Sequence, residues 1–297
     1  MSLVSSLAST ILQKLDLTDL ENTPEGLRRF YRTWCLNMPM DNLRKLIALR
    51  DERLEELPGA TAEDYFSAWL EHGTGGTCWP GSNALFTLAR EAGFNVRRAT
   101  GSVFDMYGDN HGTTIVSFED GEYVIDSSFL FMEPLPIVAG QHKLLEHPVY
   151  EAEIDPEGDT FFFWAYSPPH PEAIAFKLLE RDVTEDLYRS NYERSRGMGP
   201  FNAKIYSRKN REDRMVVLWG NRRFVRDADG VQVEELDGEG LKEALRQQGY
   251  SEWIIGELER CGAIAAALEA ETLGAGPRME RIRPSQRTDY STVGSNS

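Results

Sequence analysis

The chain has 297 residues, 41% of them hydrophobic, and a formal net charge of -16. That is enough apolar material for one sizeable core or two or three smaller ones, and the ordinary charged and aromatic content excludes a disordered chain. So negative a surface makes nucleic acid and anionic membrane poor partners, and any anionic cofactor would need a local basic pocket. No apolar run is long enough to cross a bilayer. Met1 to Leu17 lacks a basic start and is interrupted by Ser5, Ser6, Ser9, Thr10 and Gln13, so it does not read as a secretory signal, and a cytoplasmic protein is expected.

In chain order, Thr23-Pro24 opens a helix whose apolar face is Leu27, Phe30, Trp34, Cys35 and Met38. Thr61 with Asp64 makes a capping-box-like start before Tyr65, Phe66, Trp69 and Leu70, and that helix should stop at Gly73. A Gly-Thr stretch, Gly73 to Thr77, leads into a helix from about Trp79 to Ala92, closed by Gly93. Strands are expected over Val96 to Phe104, Thr113 to Phe118, Tyr123 to Ile125, Thr160 to Tyr166 and Ile174 to Leu179. Asp120-Gly121 marks a hairpin turn between the second and third of these. Later strands are expected around Ala203 to Ser207, Met215 to Trp219 and Arg223 to Arg226, with a turn at Gly220-Asn221. Helices follow near Leu241 to Gln248 and Glu252 to Glu271. The pattern reads as α+β in about three parts: 1–93 helical, 94–198 strand-rich, 199–273 mixed, with a boundary near Gly197 to Pro200. The aperiodic tail, 274–297, reads as disordered.

There are three cysteines, Cys35, Cys78 and Cys261. An odd, sparse set without a C-x-x-C pair is neither a disulfide framework nor a zinc site, and no metal is expected. Cys35 and Cys261 sit on apolar helix faces and read as core thiols. Cys78 follows Gly75, Gly76 and Thr77 and adjoins a helix start. Free N–H groups and the helix dipole there stabilise a thiolate and can cradle an oxyanion. Position alone leaves open an incidental thiol on a Gly-rich loop.

A thiol nucleophile needs a base, and the base an orienting group. His142, His147 and His170 lie in Pro- and charge-rich connections, and His72 ends a helix. His111 opens the strand His-Gly-Thr-Thr-Ile-Val, and Asp126 closes its hairpin partner. A two-residue turn at Asp120-Gly121 pairs Ile115 with Asp126, which puts His111 and Asp126 on one face but four residues out of step, roughly 13 Å. A bulge, coiling or another register must close that gap. Taken alone, the pair also reads as a surface His and a loop Asp.

Together these segments resemble the arylamine N-acetyltransferase family. Gly-Gly-Thr-Cys78, then His111 opening a strand, then Val-Ile-Asp126-Ser-Ser-Phe is similar to that family's R-G-G-x-C, later H, and D-V-G-F-G. Pro39-Met-Asp-Asn-Leu43 resembles P-F-E-N-L, Asn83-Ala-Leu-Phe86 resembles N-G-L-F, and Gly199-Pro-Phe201 resembles S-P-F. The likeness spans roughly residues 20 to 230. It implies a helical domain carrying the cysteine, a β-barrel-like domain carrying His and Asp, and an α/β lid, on a papain- or transglutaminase-like core. It also implies ping-pong acetyl transfer from acetyl-CoA, through a Cys78 thioester, to an arylamine, hydrazine or hydroxylamine nitrogen. His111 is then the base and Asp126 its orienting group. Met40, Phe129 and Phe201 match positions that line the acceptor pocket, and Thr113 and Ser128 match positions beside the cofactor.

The chain departs from the family in places. Thr74 replaces an Arg and Pro80 an acidic residue; losing both together leaves no orphan buried charge. Ser127-Ser128 stands where one flexible glycine is expected and Leu130 where the other is, which bears on the acyl donor. The run Arg208-Lys209-Asn210-Arg211 with Arg214 could meet CoA phosphates but reads better as a solvated hairpin tip, and Arg97 and Arg98 read as strand-surface charges. The competing functions are an amide synthase or an amidase or transglutaminase-like enzyme using the same three residues, and a non-catalytic binding protein on a retained fold.

Overall fold

A computed structural model describes residues 3–104, 108–197, 199 and 201–269. The chain opens with helices α1 (Leu3–Lys14) and α2 (Pro24–Asn37), a short strand β1 (Met40–Asp41), then α3 (Leu43–Arg50), α4 (Ala62–His72) and α5 (Cys78–Glu91). The expected start signals act as written. Thr23 Oγ1 accepts from the Gly26 N–H with Pro24 in the first turn, and Thr61 Oγ1 accepts from the Asp64 N–H. Gly73 ends α4 in the left-handed region.

Strands β2 (Val96–Val103), β3 (His111–Phe118), β4 (Gly121–Ile125), β5 (Leu135–Pro136), β6 (Lys143–Leu145), β7 (Ala152–Glu157), β8 (Thr160–Ala165) and β9 (Ile174–Leu178) form one antiparallel sheet in the order β5-β4-β3-β2-β9-β8-β7-β6. The sheet curls into a half-barrel. Its concave side and helices α1, α2, α4 and α5 share the main apolar core. Helix α6 (Glu185–Arg194) follows and packs Tyr188 and Tyr192 against Trp79 of α5.

A second antiparallel sheet runs β1-β10-β11-β12-β13, with β10 (Tyr206–Asn210), β11 (Met215–Trp219), β12 (Arg222–Asp227) and β13 (Gly230–Glu235). Alternation divides its faces. Met40, Met215, Val217 and Phe224 enter the main core, while Leu218 joins α3, α7 (Gly238–Gln247), α8 (Glu252–Arg260) and α9 (Ala263–Leu268) in a second one. The edge strand β1 comes from the N-terminal third of the chain.

Four expectations need correction. The single helix expected over Glu252 to Glu271 is two, because Gly262 takes a left-handed conformation (φ 76°) between α8 and α9. The strand expected from Ala203 starts at Tyr206, because the Asn42 amide donates to Phe201 O and Lys204 O and accepts from the Tyr206 N–H, pinning 201–205 as an irregular connection. Arg208, Lys209 and Asn210 are not a solvated hairpin tip. They lie within β10, where Arg208 and Asn210 are buried and donate to Leu130 O. Arg98 is not a surface charge: its side chain is bonded to Asn83 Oδ1 and Glu185, with the guanidinium 3.8 Å from the Phe86 ring centre. The tail 274–297 lies outside the described residues.

Candidate active site

Cys78 is the first residue of α5, with Thr77 at the N-cap. An α-helix leaves its first N–H groups without intrahelical acceptors. Thr77 makes no side-chain cap and Pro80 has no N–H, so the Cys78 and Trp79 N–H groups are the ones this terminus can offer a ligand. The approach loop is held from behind. The Asp41 carboxylate accepts from the Gly75 N–H (2.6 Å) and the Leu43 N–H (3.1 Å), and the Tyr250 hydroxyl donates to it (3.3 Å). Met40 and Gly76 form a parallel bridge. A Cβ on Gly75 would stand 1.8 Å from the Pro39 carbonyl oxygen, so only glycine lets the two segments approach this closely.

His111 opens β3 and is 2% exposed. Its Nε2 lies 2.7 Å from Asp126 Oδ2. Cys78 is close enough to the same ring to add to its basicity, and with Nε2 committed to Asp126 the nitrogen left free is Nδ1. The thiol also approaches the Asn110 carbonyl oxygen at 3.8 Å. Burial alone would lower the basicity of His111. The Asp126 charge and hydrogen bond, with a contribution from Cys78, outweigh it and raise the imidazole to about 10. Burial works against the Asp126 carboxylate, but the imidazolium and the N–H groups it accepts from keep it below the usual carboxylate range.

The offset expected from the hairpin is smaller in the structure. The turn is Glu119-Asp120, with Phe118 opposite Gly121 and Thr114 opposite Ile125. Continued one step, this register sets Asp126 beside Thr113, two residues from His111 rather than four. The remaining gap closes because Asp126 lies past the end of β4, where the chain turns. Its Oδ1 accepts from the Ser128 and Phe129 N–H groups, both at 2.8 Å. The Tyr31 hydroxyl of α2 fixes this turn, donating to Asp126 O and accepting from the Asp126 and Phe131 N–H groups. Ser82 of α5 donates to Gly112 O and meets Ser127 Oγ at 3.0 Å, joining the cysteine helix to β3 and to the turn after β4.

The other expected site residues are distributed as follows. Phe129 packs edge-on against His111, ring centres 5.3 Å apart, and Phe176 covers the imidazole at 4.8 Å. Met40 is buried beside Gly76. Phe201 packs edge-to-face against Tyr206 and Trp219 at the second sheet. Thr113 is wholly buried, its hydroxyl donating to Ile125 O and supporting Asp126, which leaves it no exposed face for a cofactor. Ser128 Oγ is buried without a hydrogen-bond partner among the described residues. Thr74 is buried against Ala68 O and Pro80 packs on Gly59 and Gly76, so neither position carries a charge here. Near the thiol, the exposed Arg194 donates to Asp109 O (2.9 Å), one residue from Asn110. Tyr31, Asp41 and Ser82 were not singled out from sequence. Only Asp41 carried a signal, its place in Pro39-Met-Asp-Asn-Leu43.

Comparison with known proteins fits this arrangement. The model of the N-acetyltransferase family matches residues 25–249. An uncharacterised acetyltransferase of Bacillus subtilis, YvcN, is 24% identical over 230 residues, covering 73% of this chain and 87% of that protein. The arylamine N-acetyltransferase of Mycobacterium marinum, solved in complex with CoA, superposes with a TM-score of 0.74 at 17% identity, over 86% of this chain and 98% of that one. The Salmonella typhimurium enzyme superposes at 0.71 and 18% identity, over 90% and 99%. With the family model covering most of its length, the chain belongs to the arylamine N-acetyltransferase family.

Proposed function

We propose that the protein transfers an acetyl group from acetyl-CoA to an arylamine, hydrazine or hydroxylamine nitrogen, with Cys78, His111 and Asp126 as a catalytic triad. The observation that carries this is the buried His111–Asp126 contact at 2.7 Å, with Cys78 at the first position of α5 close enough to raise the same imidazole. With Nε2–H directed at Asp126, the neutral ring presents Nδ1 as an acceptor and takes the thiol proton. The thiolate sulfur attacks the thioester carbonyl, and the oxyanion forms against the Cys78 and Trp79 N–H groups. The intermediate collapses with cleavage of the carbon–sulfur bond to CoA, whose sulfur receives the proton from Nδ1. The amine nitrogen then attacks the Cys78 thioester, gives its proton to Nδ1 and leaves as the amide, regenerating the thiolate. The CoA complex of the M. marinum relative supports CoA as the donor's carrier.

A second reading keeps the triad and changes the donor. Ser127-Ser128 and Leu130 in place of the glycines favour it. Intact mass after mixing with acetyl-CoA separates the two. A gain of one acetyl group that disappears in Cys78→Ser and discharges on adding an arylamine is the expected result. An adduct only with other thioesters would move the assignment to the second reading. No adduct with any thioester would overturn both.

A further inference from the structure

Along β7 and the residue before it, every second side chain is acidic. Glu151, Glu153, Asp155 and Glu157 alternate with Ala152 and Ile154, which enter the main core, so the four carboxylates share the other face of the sheet. Glu153 stands opposite Trp164 of β8, and Asp155 opposite Phe162. An antiparallel sheet face left to water is polar. This one is covered: Glu153, Asp155 and Phe162 are buried, and Trp164 is 1% exposed. Yet Phe162, Trp164 and Ala175 form a cluster of their own, which takes no residue from any described helix or from the second sheet. The Trp164 indole N–H has no acceptor among the described residues. Lys177, opposite Phe162, and Arg226, 3.2 Å from Glu151, bring two cations to the four carboxylates, so the face stays acidic. At its Glu151 end lies a groove of about 540 Å³, lined by Leu144, Glu146, His147, Glu153 and Arg226 among others.

We propose that residues 278–287 of the same chain dock along this acidic stripe, as a strap from the end of α9 to the half-barrel. The segment, Arg-Met-Glu-Arg-Ile-Arg-Pro-Ser-Gln-Arg, carries four arginines against Glu280 in a chain of net charge -16. It holds both parts that the face calls for: guanidinium groups for the carboxylates, and Met279 and Ile282 for the floor of Phe162 and Trp164. It can also reach. Gly220, in the turn before β12, lies beside the Ala267 carbonyl, and Lys204 donates to Glu269 O at 2.9 Å. From that turn to Arg226 is about 20 Å of strand. Arg226 meets Glu151 and lies 4.2 Å from the Tyr166 ring centre, at the head of the stripe. Residues 270–277 span about 30 Å when extended, enough to bring Arg278 there. A second copy fits less well, since it would set the same carboxylates and the same net negative charge against their own kind.

The test is carbodiimide-driven labelling of carboxylates with glycinamide, read by peptide mapping, in the full chain and in full-length Arg281→Gln/Arg283→Gln. That variant keeps every residue of the described elements. Labelling at Glu153 and Asp155 should rise about tenfold in it, as release of a docked segment opens the face. Glu25 on α2, whose side chain is 78% exposed, should label equally in both chains. Trypsin reads the same contact from the other side. Cleavage after Arg281 and Arg287 should be about tenfold faster in the full-length Asp155→Asn/Glu157→Gln variant than in wild type. Equal labelling of Glu153 and Asp155 in wild type and the arginine variant would overturn the proposal. Protection that survives the arginine variant but fades on dilution would give the face to a second copy. Protection that depends on neither would mean that residues 1–277 cover it themselves. Either of these results overturns the strap.

Discussion

Asp126→Asn tests the site most sharply, because it keeps size and changes only charge and one acceptor. Asp126 accepts from the Ser128 and Phe129 N–H groups through Oδ1 and meets His111 Nε2 through Oδ2. The amide oxygen of Asn will keep the two backbone donors, which leaves its NH₂ facing Nε2. Two donors cannot share that contact, so His111 must move its proton to Nδ1 and present Nε2 as the acceptor. The nitrogen facing Cys78 is then occupied and cannot take the thiol proton. A charge-assisted hydrogen bond of about 2–3 kcal/mol disappears, which corresponds to about a 30- to 150-fold fall in the imidazolium–thiolate population. The imidazole, raised to about 10 against burial chiefly by Asp126, drops back, since burial is then opposed by Cys78 alone. The assay is Cys78 alkylation against pH, with acetyl transfer measured in parallel. Wild type should hold a broad plateau across neutral pH; the variant should climb only where an unassisted thiol ionises, about pH 8.5. Superimposable profiles with surviving transfer would refute the coupling of Asp126 to Cys78.

Cys78 should take iodoacetamide well before Cys35, which is wholly buried and pushed up to about 12, chiefly by desolvation; peptide mapping reads the order. Gly75→Ala places a methyl group 1.8 Å from the Pro39 carbonyl oxygen, so one segment must move. A loss of about 2 kcal/mol or more in urea unfolding is expected, together with slower Cys78 labelling. Burial raises the Asp41 carboxyl to about 6 against its backbone and Tyr250 hydrogen bonds. The folded chain thus holds that proton more tightly than the unfolded one. Its contribution to stability is full below about pH 4 and is lost as pH rises through about 6, by about 3 kcal/mol. Asp41→Asn should lack this component of the slope, and urea titrations at pH 4.5 and 7 compare the two chains.

What the sequence disclosed divides by range. Caps and breakers act locally, so Thr23-Pro24, Thr61 with Asp64 and Gly73 were legible, and so was the helix start beside Cys78. The register of β3 and β4 was not, because Glu119-Asp120-Gly121 admits two turns that differ by one residue, and that slip changes the His111–Asp126 offset by two. Helix α6 gave a weak signal, Thr184 before Glu185 with Tyr188 and Tyr192 at helical spacing. The fate of Arg208 gave none. An arginine among charged neighbours reads as solvated, and only the packing of distant segments buries it.

The placement of β1 has a consequence for how the chain matures. Residues 40–41 pair with 207–208, Asn42 grips 201–206, and Asp41 is bonded to Tyr250, 209 positions later. During synthesis the Gly75 loop therefore waits for nearly the whole chain before its backing is complete. An N-terminal fragment ending before residue 200 would carry Cys78, His111 and Asp126 yet lack the brace behind the Gly75 loop. On the proposed function, the ability to form a thioester should arise late on the ribosome, as one of the last properties acquired, because closing such long loops precedes any reward from the contacts they make.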